Sequence, residues 1–530
     1  MAATVREVRR AIGRAERGVA IDHGEAVALL AARGQDLFRL QEVAAAIRDQ
    51  GLSARGHGSV ITYSPKVFVP LTKLCRDSCR YCTFATDPAA LRDSGQDMFL
   101  EPDAVMAIVR AGAAGGALEA LFTLGDRPEA RWLAARQWLD ARGFDDTLSY
   151  VRAMSIQVLE ETGLLPHLNP GVMSWDELVR MRRVAPSMGM MLESVSDRLW
   201  SSPDGPHYGS VDKNPAVRLR VLEDAGRLAI PFTTGVLVGI GETPAERIDS
   251  LFAIRSVGRE YGHIQEVIIQ NFRAKSGTAM ASVEDLDFEA YLATIATSRV
   301  LLGSKLRIQA PPNLSDPGQL AALIAAGVDD WGGISTVTVD HVNPERPWPA
   351  IDALATVTAA AGFELRARLG VHSEYVSDPV AWIDSALAPH VRALAAPAGL
   401  ADPDAVPTGL AWQQPESSYQ DFIDRDEASG TGGMIDLTAT NARSGERGDG
   451  KDSADAWAQI ARRADRAEFA VATPAAASAT ARMDSHVRAA LDLAASDPAA
   501  LADPANEAAA VALMSCEGQA LKDLADIADA

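Results

Sequence analysis

Three cysteines lie close together at Cys75, Cys79 and Cys82, directly after a short apolar run. Three thiolates can hold three irons of a [4Fe–4S] cube and leave the fourth iron without a protein ligand. An iron with an open position can bind a small molecule through that molecule's own donor atoms. The spacing therefore predicts a cluster that chelates S-adenosylmethionine and delivers one electron to its sulfonium.

Other arrangements of these thiols stay open from the residues alone. A structural zinc site normally has four protein ligands, but no histidine lies between Cys75 and Cys82, and the fourth cysteine, Cys516, is near the other end of the chain. A ferredoxin-type cluster needs a fourth cysteine close by. A disulfide framework is unusual in a long, cysteine-poor chain. Three unrelated thiols in one loop are the plain alternative, and Cys516 is expected to be a free thiol.

The composition narrows the class of protein. The chain has 530 residues, of which 47% are hydrophobic, as in globular domains. Its net charge of −21 argues against a nucleic-acid surface, because such surfaces cluster Lys and Arg. No apolar run approaches the about 18 residues needed to span a bilayer, and the first residues lack the apolar core of a secretory signal. We expect a cytoplasmic protein with neither a nucleic-acid nor a membrane partner.

Apolar runs alternate with longer amphipathic stretches from residue 67 onwards. Strand and helix in strict alternation indicate parallel βα units, and eight units suit an α/β fold of the closed (β/α)8, triosephosphate-isomerase type. The predicted helices include 102–111, 149–162, 214–225, 244–258 and 287–302. The predicted strands are 67–71, 120–124, 164–169, 188–192, 232–238, 266–270, 306–309 and 329–332.

Polar and glycine-rich segments follow these predicted strands. In such barrels the active site is built at the carboxyl ends of the strands, so one mouth is expected to collect all of them. A single glycine or proline there is more often a plain turn. The segments are 75–82, 125–129, 169–171, 193–194, 239–242, 271–273, 310–313 and 333–335.

Two of these segments are candidates for binding the methionine and ribose parts of S-adenosylmethionine. After Gly125, either Asp126 or Glu129 can supply a carboxylate for the methionine ammonium. The alternative is a helix start stabilised by acidic residues. Glu193 can accept a hydrogen bond from a ribose hydroxyl, or it can be a solvated strand end.

A third segment ends the fifth apolar run. Gly239 allows the backbone to approach a flat group closely, and Glu242 follows it. An ordinary strand-to-helix turn is the alternative here.

The remaining polar residues near the predicted mouth are candidates for substrate contacts. The loop 207–214 is the most polar and aromatic of these segments, although an ordinary surface loop has the same composition. The candidates are Asn169, His207, Tyr208, Asn271, Arg273, Lys275, Asn313 and Ser335.

The chain divides into four predicted regions. Residues 1–65 are expected to form helices packed on the barrel, and residues 66–390 to form the barrel. Residues 391–482 are expected to be a largely disordered linker, because 427–455 is too poor in apolar residues to offset chain entropy. Residues 483–530 regain a helical pattern.

The cysteine spacing matches the radical S-adenosylmethionine superfamily, in which an aromatic residue, here Tyr81, precedes the last cysteine. Over roughly residues 20–390 the chain resembles the FO synthase family. In the superfamily, 125–129 is the glycine-glycine-acid position, where only one glycine is present here, and 235–242 is the pattern that lines the adenine. The segments of resemblance are 75–84, 123–129, 167–173, 186–193 and 270–275.

This resemblance implies an ammonia-releasing lyase that makes the deazaflavin FO, the chromophore of coenzyme F-420. The chain looks like the cyclising half, which closes a tyrosine-derived hydroxybenzyl adduct of ribityl-diaminouracil. Residues 483–530 look like the start of a second, coupling half whose own cysteine motif is missing. The coupling half or subunit and an external one-electron donor are then the expected partners.

Two other functions are consistent with the same motifs. One is a related radical enzyme of futalosine-dependent menaquinone synthesis or of thiazole synthesis. The other is a non-catalytic, cluster-bearing subunit that needs a partner half.

Overall fold

A closed barrel of eight parallel strands organises residues 3–412, which are the residues that the computed structural model describes. Each strand pairs with the next, and β1 pairs with both β8 and β2, which closes the sheet. The predicted (β/α)8 fold is confirmed. The strands are β1 Val60–Thr72, β2 Glu119–Leu124, β3 Leu165–Asn169, β4 Ser187–Gly189, β5 Phe232–Val238, β6 Ile264–Asn271, β7 Arg307–Gln309, β8 Asp330–Ile334 and β9 Glu364–Ala367.

Helices surround the barrel and connect its strands. Several begin with a side-chain cap, as at Thr243, whose hydroxyl accepts from the Glu246 amide. The α-helices of the described residues are α1 Val5–Glu16, α2 His23–Leu29, α3 Gly34–Ala54, α4 Pro88–Asp93, α5 Pro102–Ala114, α6 Leu133–Asp140, α7 Thr147–Thr162, α8 Trp175–Arg182, α9 Asp197–Ser201, α10 Pro215–Arg227, α11 Pro244–Tyr261, α12 Phe288–Leu302, α13 Leu320–Ala325, α14 Ile351–Ala360, α15 Ser373–Val376, α16 Pro379–Trp382 and α17 Ala388–Leu394.

Alternate residues of the strands face opposite sides of the barrel wall. On β1, Val67 and Val69 are fully buried in the apolar core between barrel and helices, whereas Lys66 and Phe68 line the interior cavity. This is the period of two that a strand imposes. Apolar residues therefore hold the helices on the outside, and the inward positions are left for chemistry.

The ninth strand lies outside the predicted set. β9 pairs in parallel with Val60–Tyr63 at the beginning of β1, which is why β1 starts well before the predicted residue 67. The segment after β9 then crosses the amino-terminal end of the barrel. There Gln265 donates to the Gly370 carbonyl at 3.0 Å and accepts from the His372 amide at 3.2 Å. We call residues 368–372 the plug, because they close this end.

Three helices precede the barrel. Helix α3 packs against α12, and Gly51 sits where an added Cβ would lie 2.2 Å from the Ser304 carbonyl oxygen. Only glycine permits so close an approach. The division of the chain at residues 65, 390 and 482 stays a prediction, and the helical segment predicted over 483–530 lies outside the described residues, as does 413–482.

Residues 391–412 follow the outside of the barrel. The Trp412 indole donates to the Arg183 carbonyl at 3.0 Å, and the Leu410 amide donates to the Leu159 carbonyl at 3.2 Å. An added Cβ on Gly163 would lie 2.3 Å from the Thr408 carbonyl oxygen. This part of the chain is therefore packed against α7 and the end of α8.

None of the helices in residues 3–412 is long and apolar enough to cross a membrane.

Candidate active site

The three cysteines lie in the loop that leaves β1 at the carboxyl end of the barrel. The loop is tied at its base, where the Thr86 amide donates to the Lys73 carbonyl at 2.9 Å. Within it, the Cys82 amide donates to the Cys79 carbonyl at 3.1 Å. Cys75, Cys79 and Cys82 are unbridged thiols. We call residues 73–86 the cysteine loop.

Hydrogen-bond donors surround the sulfurs. The Asp126 amide lies 3.2 Å from the Cys75 sulfur, and the Ala85 amide lies 3.5 Å from the Cys82 sulfur. The Ser210 hydroxyl lies 3.5 Å from the Cys79 sulfur. Amide donors are the usual surroundings of cluster thiolates, whose potential they tune.

The environment of Cys75 and Cys79 disfavours their thiolate forms. Burial, together with the nearby Asp77 and Asp126, raises the pKa of Cys75, and burial raises the pKa of Cys79 to about 12. A metal cluster would supply the positive charge that stabilises these thiolates. Within residues 3–412 the three sulfurs do not form a group whose atoms all lie within 4.8 Å of one another.

The end of β2 is pressed against the cysteine loop. An added Cβ on Gly125 would lie 1.9 Å from the Leu74 carbonyl oxygen, so a side chain has no room there. The next residue, Asp126, accepts from the Val172 amide at 3.0 Å through Oδ2. Its Oδ1 is buried and has no hydrogen-bond partner among the described residues. Arg127 Nε lies 4.0 Å from this oxygen, beyond hydrogen-bond distance, so Asp126 has one carboxylate oxygen beside the cysteine loop that accepts no hydrogen bond from a described residue.

Asp126 belongs to a group of three buried carboxylates with Asp77 and Asp212. Asp212 is paired with Arg76 of the cysteine loop. Burial and the two neighbouring carboxylates raise the pKa of Asp126 well above its usual range. A cation placed at Asp126 would relieve this repulsion.

Glu129 lies elsewhere. Its two carboxylate oxygens accept from Thr147, at 3.1 Å from the amide and 2.6 Å from the hydroxyl, at the start of α7. The structure thus places Asp126, and not Glu129, next to the cysteine loop with a free oxygen. The acidic helix start, weighed above as the alternative for this segment, describes the position of Glu129.

Glu193 is the centre of a buried network at the mouth. Its Oε2 accepts from the Tyr81 hydroxyl and lies 3.0 Å from His207 Nε2, while Oε1 pairs with Lys213. The Tyr81 hydroxyl oxygen lies 3.1 Å from His207 Nε2. Lys213 and the hydrogen bond from His207 hold the pKa of Glu193 well below its usual range despite burial. The backbone of Glu193 is left-handed, with φ of 65°, a strained conformation typical of functional positions.

Gly239 and Glu242 form the turn between β5 and α11. Gly239 has φ of 96°, and its amide donates to Glu242 at 2.8 Å. Arg247 pairs with the same carboxylate at 2.6 Å. Glu242 therefore fixes the turn, and neither residue lines the cavity described next.

A cavity of about 320 Å³ opens inside the barrel beneath this mouth. Its upper part is lined by Tyr81 and Glu193 and by the loop after β8, where Trp348 stacks on Phe68 with ring centroids 5.3 Å apart. Val342 of that loop accepts from Thr83 of the cysteine loop at 3.3 Å. The β8 loop therefore covers the cavity beside the cysteines.

The substrate candidates fall into three groups. Asn169 and Asn313 line the cavity. Asn271, Arg273 and Lys275 bind backbone carbonyls of Leu314 or Val342 and support the surrounding loops, Ser335 holds the start of the β8 loop, and His207 is bonded within the Glu193 network. Tyr208 is 47% exposed and does not line the cavity.

Several cavity residues were not predicted; most of them lie within strands rather than after them, and two lie well beyond the end of β8. Polar residues facing inward on otherwise apolar strands were the available signal. They are Lys66, His167, Glu266, Gln270, Gln309 and, on the β8 loop, Asp340 and Asn343.

Comparison with known proteins defines the class. Residues 69–254, which contain the end of β1, the cysteine loop and β2 to β5, match the radical SAM superfamily model. Among solved structures, the hydrogenase maturase HydG superposes with a TM-score of 0.54 at 14% identity, covering 69% of this chain and 76% of that one. Methylornithine synthase gives a TM-score of 0.51 at 16% identity, covering 67% of this chain and 97% of that one. These likenesses support the fold, and the superfamily implies a [4Fe–4S] cluster and S-adenosylmethionine as cofactors.

The similarity to individual proteins identifies a narrower family within this superfamily. The 7,8-didemethyl-8-hydroxy-5-deazariboflavin synthase of Methanopyrus kandleri is 46% identical over 318 residues, which are 60% of this chain and 93% of that protein. This chain belongs to that family. The FO synthases of Streptomyces coelicolor and Mycobacterium tuberculosis are 54% and 52% identical, over 99% and 98% of this chain. The chain spans 58% and 59% of their respective lengths.

Proposed function

We propose that this chain catalyses the radical cyclisation that forms FO. Its substrate would be the adduct of a tyrosine-derived hydroxybenzyl group with ribityl-diaminouracil, and ammonia would be lost. The observation that supports this most is the juxtaposition of one three-cysteine loop with a closed-ended cavity inside a barrel of this family. A cavity of a few hundred Å³ is in the usual range for small-molecule sites.

Cys75, Cys79 and Cys82 would be the three protein ligands of the cluster. The amide donors to Cys75 and Cys82 and the Ser210 hydroxyl beside Cys79 support this assignment. When bound, the cluster and S-adenosylmethionine supply a carbon radical that removes a hydrogen atom from the substrate. The protein's part is to hold both molecules and to exclude water.

The free oxygen of Asp126 would accept the methionine ammonium. This oxygen is buried and accepts no hydrogen bond from a described residue, and the Asp126 backbone amide donates to the Cys75 sulfur at 3.2 Å. A bound ammonium would add positive charge to the group formed by Asp77, Asp126 and Asp212. Hydrogen bonds between charged groups are about twice as strong as neutral ones. Gly125 would serve this contact indirectly, because its lack of a side chain brings Asp126 against the cysteine loop.

Glu193 would orient the ribose side of the cofactor site. The Glu193 carboxylate is already bound by Tyr81, His207 and Lys213. A ribose hydroxyl would therefore share the carboxylate with these side chains or displace one of them. Tyr81 links this carboxylate to the cysteine loop. Gly239 and Glu242 would shape the wall at the end of β5 without touching the ligand themselves.

Asn169 and Asn313 would contact the substrate from the cavity wall. Asn313 donates to Asp340 at 2.9 Å, and its Oδ1 has no partner among the described residues. Asn271, Arg273 and Lys275 would act by positioning the loops that hold these residues. The coupling half and an external electron donor would be the protein partners.

The test is anaerobic incubation of the reconstituted, reduced protein with the preformed adduct. Deazaflavin fluorescence and release of ammonia are the expected results. Tyrosine with ribityl-diaminouracil, without the coupling half, should give no deazaflavin, because one three-cysteine motif is present and each half needs its own. Failure to convert the adduct while S-adenosylmethionine is cleaved would overturn the proposed substrate.

A further inference from the structure

The cavity continues well below the mouth, to a polar floor. We call Lys66, His167, Glu266 and Gln309 the floor; they project inward from β1, β3, β6 and β7. Glycines on β8 make the room for two of them. An added Cβ on Gly333 would lie 2.6 Å from the Lys66 side chain. One on Gly332 would lie 1.9 Å from Gln309 Nε2.

Three floor groups present polar atoms without a protein partner in residues 3–412. Glu266 Oε1 is buried and unbonded, although Oε2 accepts from Arg368 at 3.0 Å. His167 Nδ1 lies 2.8 Å from the Ser187 hydroxyl, and no hydrogen bond forms at Nε2. The side-chain amide of Gln309 lines the cavity, and this side chain makes no hydrogen bond within the described part of the chain. Buried polar groups are normally satisfied, so this set is suited to a ligand.

The charges of the floor exclude an anionic ligand. Lys66 is paired with Glu119, and Arg368 is shared between Glu266 and Asp330. Two cations thus face three carboxylates. Burial and the nearby Lys66 lower the pKa of His167 to about 3, so its ring is neutral. A phosphate or carboxylate would find no unpaired positive charge here, whereas a neutral ligand meets no Coulombic penalty.

The floor is also a closed end. The plug passes directly beneath it: an added Cβ on Gly370 would lie 1.7 Å from Glu119 Oε2. A ligand must therefore enter from the mouth and reach the floor with one end. The apolar wall formed by Phe68, Leu121 and Ile268 lies between the mouth and the floor, which suits rings above and polar groups below.

We propose that the floor binds the polyhydroxylated chain of the substrate. This inference rests on the proposed function, and it assigns an orientation: the ribityl chain points down and the rings to be joined lie nearer the cysteine loop. Each hydroxyl is both a donor and an acceptor. Glu266 Oε1 accepts, the Gln309 amide does both, and His167 Nε2 does either. A chain of hydroxyls satisfies this mixed set better than a flat ring with one fixed hydrogen-bonding edge.

The experiment compares two ligands and two matched variants. The ligands are ribityl-diaminouracil and the same diaminouracil with a methyl group in place of the ribityl chain. Their dissociation constants are measured by calorimetry with folded, reconstituted protein, and KM is measured with the corresponding adducts. Gln309→Leu removes a floor amide that binds no other described residue. Gln270→Leu makes the same change higher in the cavity.

Gln309→Leu is expected to weaken the ribityl ligand about tenfold and to leave the methyl ligand unchanged. Gln270→Leu should not discriminate between the two ligands. Equal weakening of both ligands by Gln309→Leu, or no weakening of either, would overturn the orientation. His167→Asn provides a second, independent floor variant with the same expectation.

The outcome is separable from the proposed function. If wild-type protein makes no deazaflavin from the ribityl adduct, the cyclisation proposal fails, while the binding data still decide whether the floor takes a polyol. If wild-type protein makes deazaflavin and the floor variants do not discriminate between the ligands, the inference about the floor fails alone.

Discussion

The mouth and the floor of the same cavity differ in how their buried ionisable groups are balanced by opposite charges. At the mouth, burial raises the pKa values of the Cys75 and Cys79 thiols, and burial together with neighbouring carboxylates raises the pKa values of Asp77 and Asp126. At the floor, each carboxylate is paired with a cation: Lys66 pairs with Glu119, and Arg368 pairs with both Glu266 and Asp330. The protein's own cations thus offset most of the buried charge at the floor, whereas we expect bound cofactors to supply the positive charge at the mouth. Folding should therefore depend on the floor and not on the cluster ligands.

The largest expected effect is loss of the cluster. Cys75→Ala, Cys79→Ala or Cys82→Ala should each abolish the four-iron, four-sulfide content of anaerobically reconstituted protein. Cys516→Ala is the matched control and should retain the cluster. Iron and sulfide analysis with the visible absorption spectrum measures this. A zinc-only protein, or a cluster that requires Cys516, would contradict the assignment.

The floor should show the largest effect on stability. Arg368→Met leaves Asp330 and Glu266 buried without their cation, which is expected to cost about 3–5 kcal/mol in the free energy of unfolding. Cys75→Ala in cluster-free protein should lower the free energy of unfolding far less, because it leaves no buried charge without a partner. Urea denaturation of both proteins without cofactors makes the comparison. Equal destabilisation by the two changes would remove the contrast between mouth and floor.

A smaller effect is expected at the methionine end of the cofactor. Asp126→Asn should weaken S-adenosylmethionine binding by roughly 10- to 100-fold, since a charged hydrogen bond contributes about 1.5–3 kcal/mol. Glu129→Gln is the control: its carboxylate holds Thr147 at the start of α7, so it should lower thermal stability and leave cofactor affinity nearly unchanged. Equilibrium binding to cluster-loaded protein measures both. The reverse ranking would assign the ammonium to Glu129.

The smallest expected effect concerns pH. The folded protein holds the pKa of His167 near 3, below its ordinary 6.5, because of burial and the nearby Lys66 and Arg368. The unfolded chain therefore binds this proton first, and stability is lost as pH falls below 6.5 towards 3. Relative to His167→Gln, wild-type cofactor-free protein should lose about 1 kcal/mol more between about pH 7 and about pH 5.5. Parallel stability curves would show that His167 is already protonated or exposed.

The contrast between mouth and floor also explains which features of the structure could be predicted from the sequence. The eight strands and the cysteine loop follow from local patterns, namely apolar periodicity and cysteine spacing. The floor does not, since Lys66, His167 and Gln309 come from strands far apart in sequence and meet only when the barrel closes. β9 and the plug were missed for the same reason: Glu364–Ala367 is short, lies partly exposed, and is defined by its pairing with β1. Asp126 and Glu129 could be separated only by their partners.

Electron paramagnetic resonance of the reduced protein tests most directly whether the mouth is completed by S-adenosylmethionine on a three-cysteine cluster. The measurement compares spectra without and with S-adenosylmethionine labelled with ¹⁵N in its amino group. Wild-type protein and Cys516→Ala should both show a changed cluster signal and hyperfine coupling to the labelled nitrogen. A cluster signal that does not respond to S-adenosylmethionine would show that no iron is open, and it would contradict the assignment of the mouth.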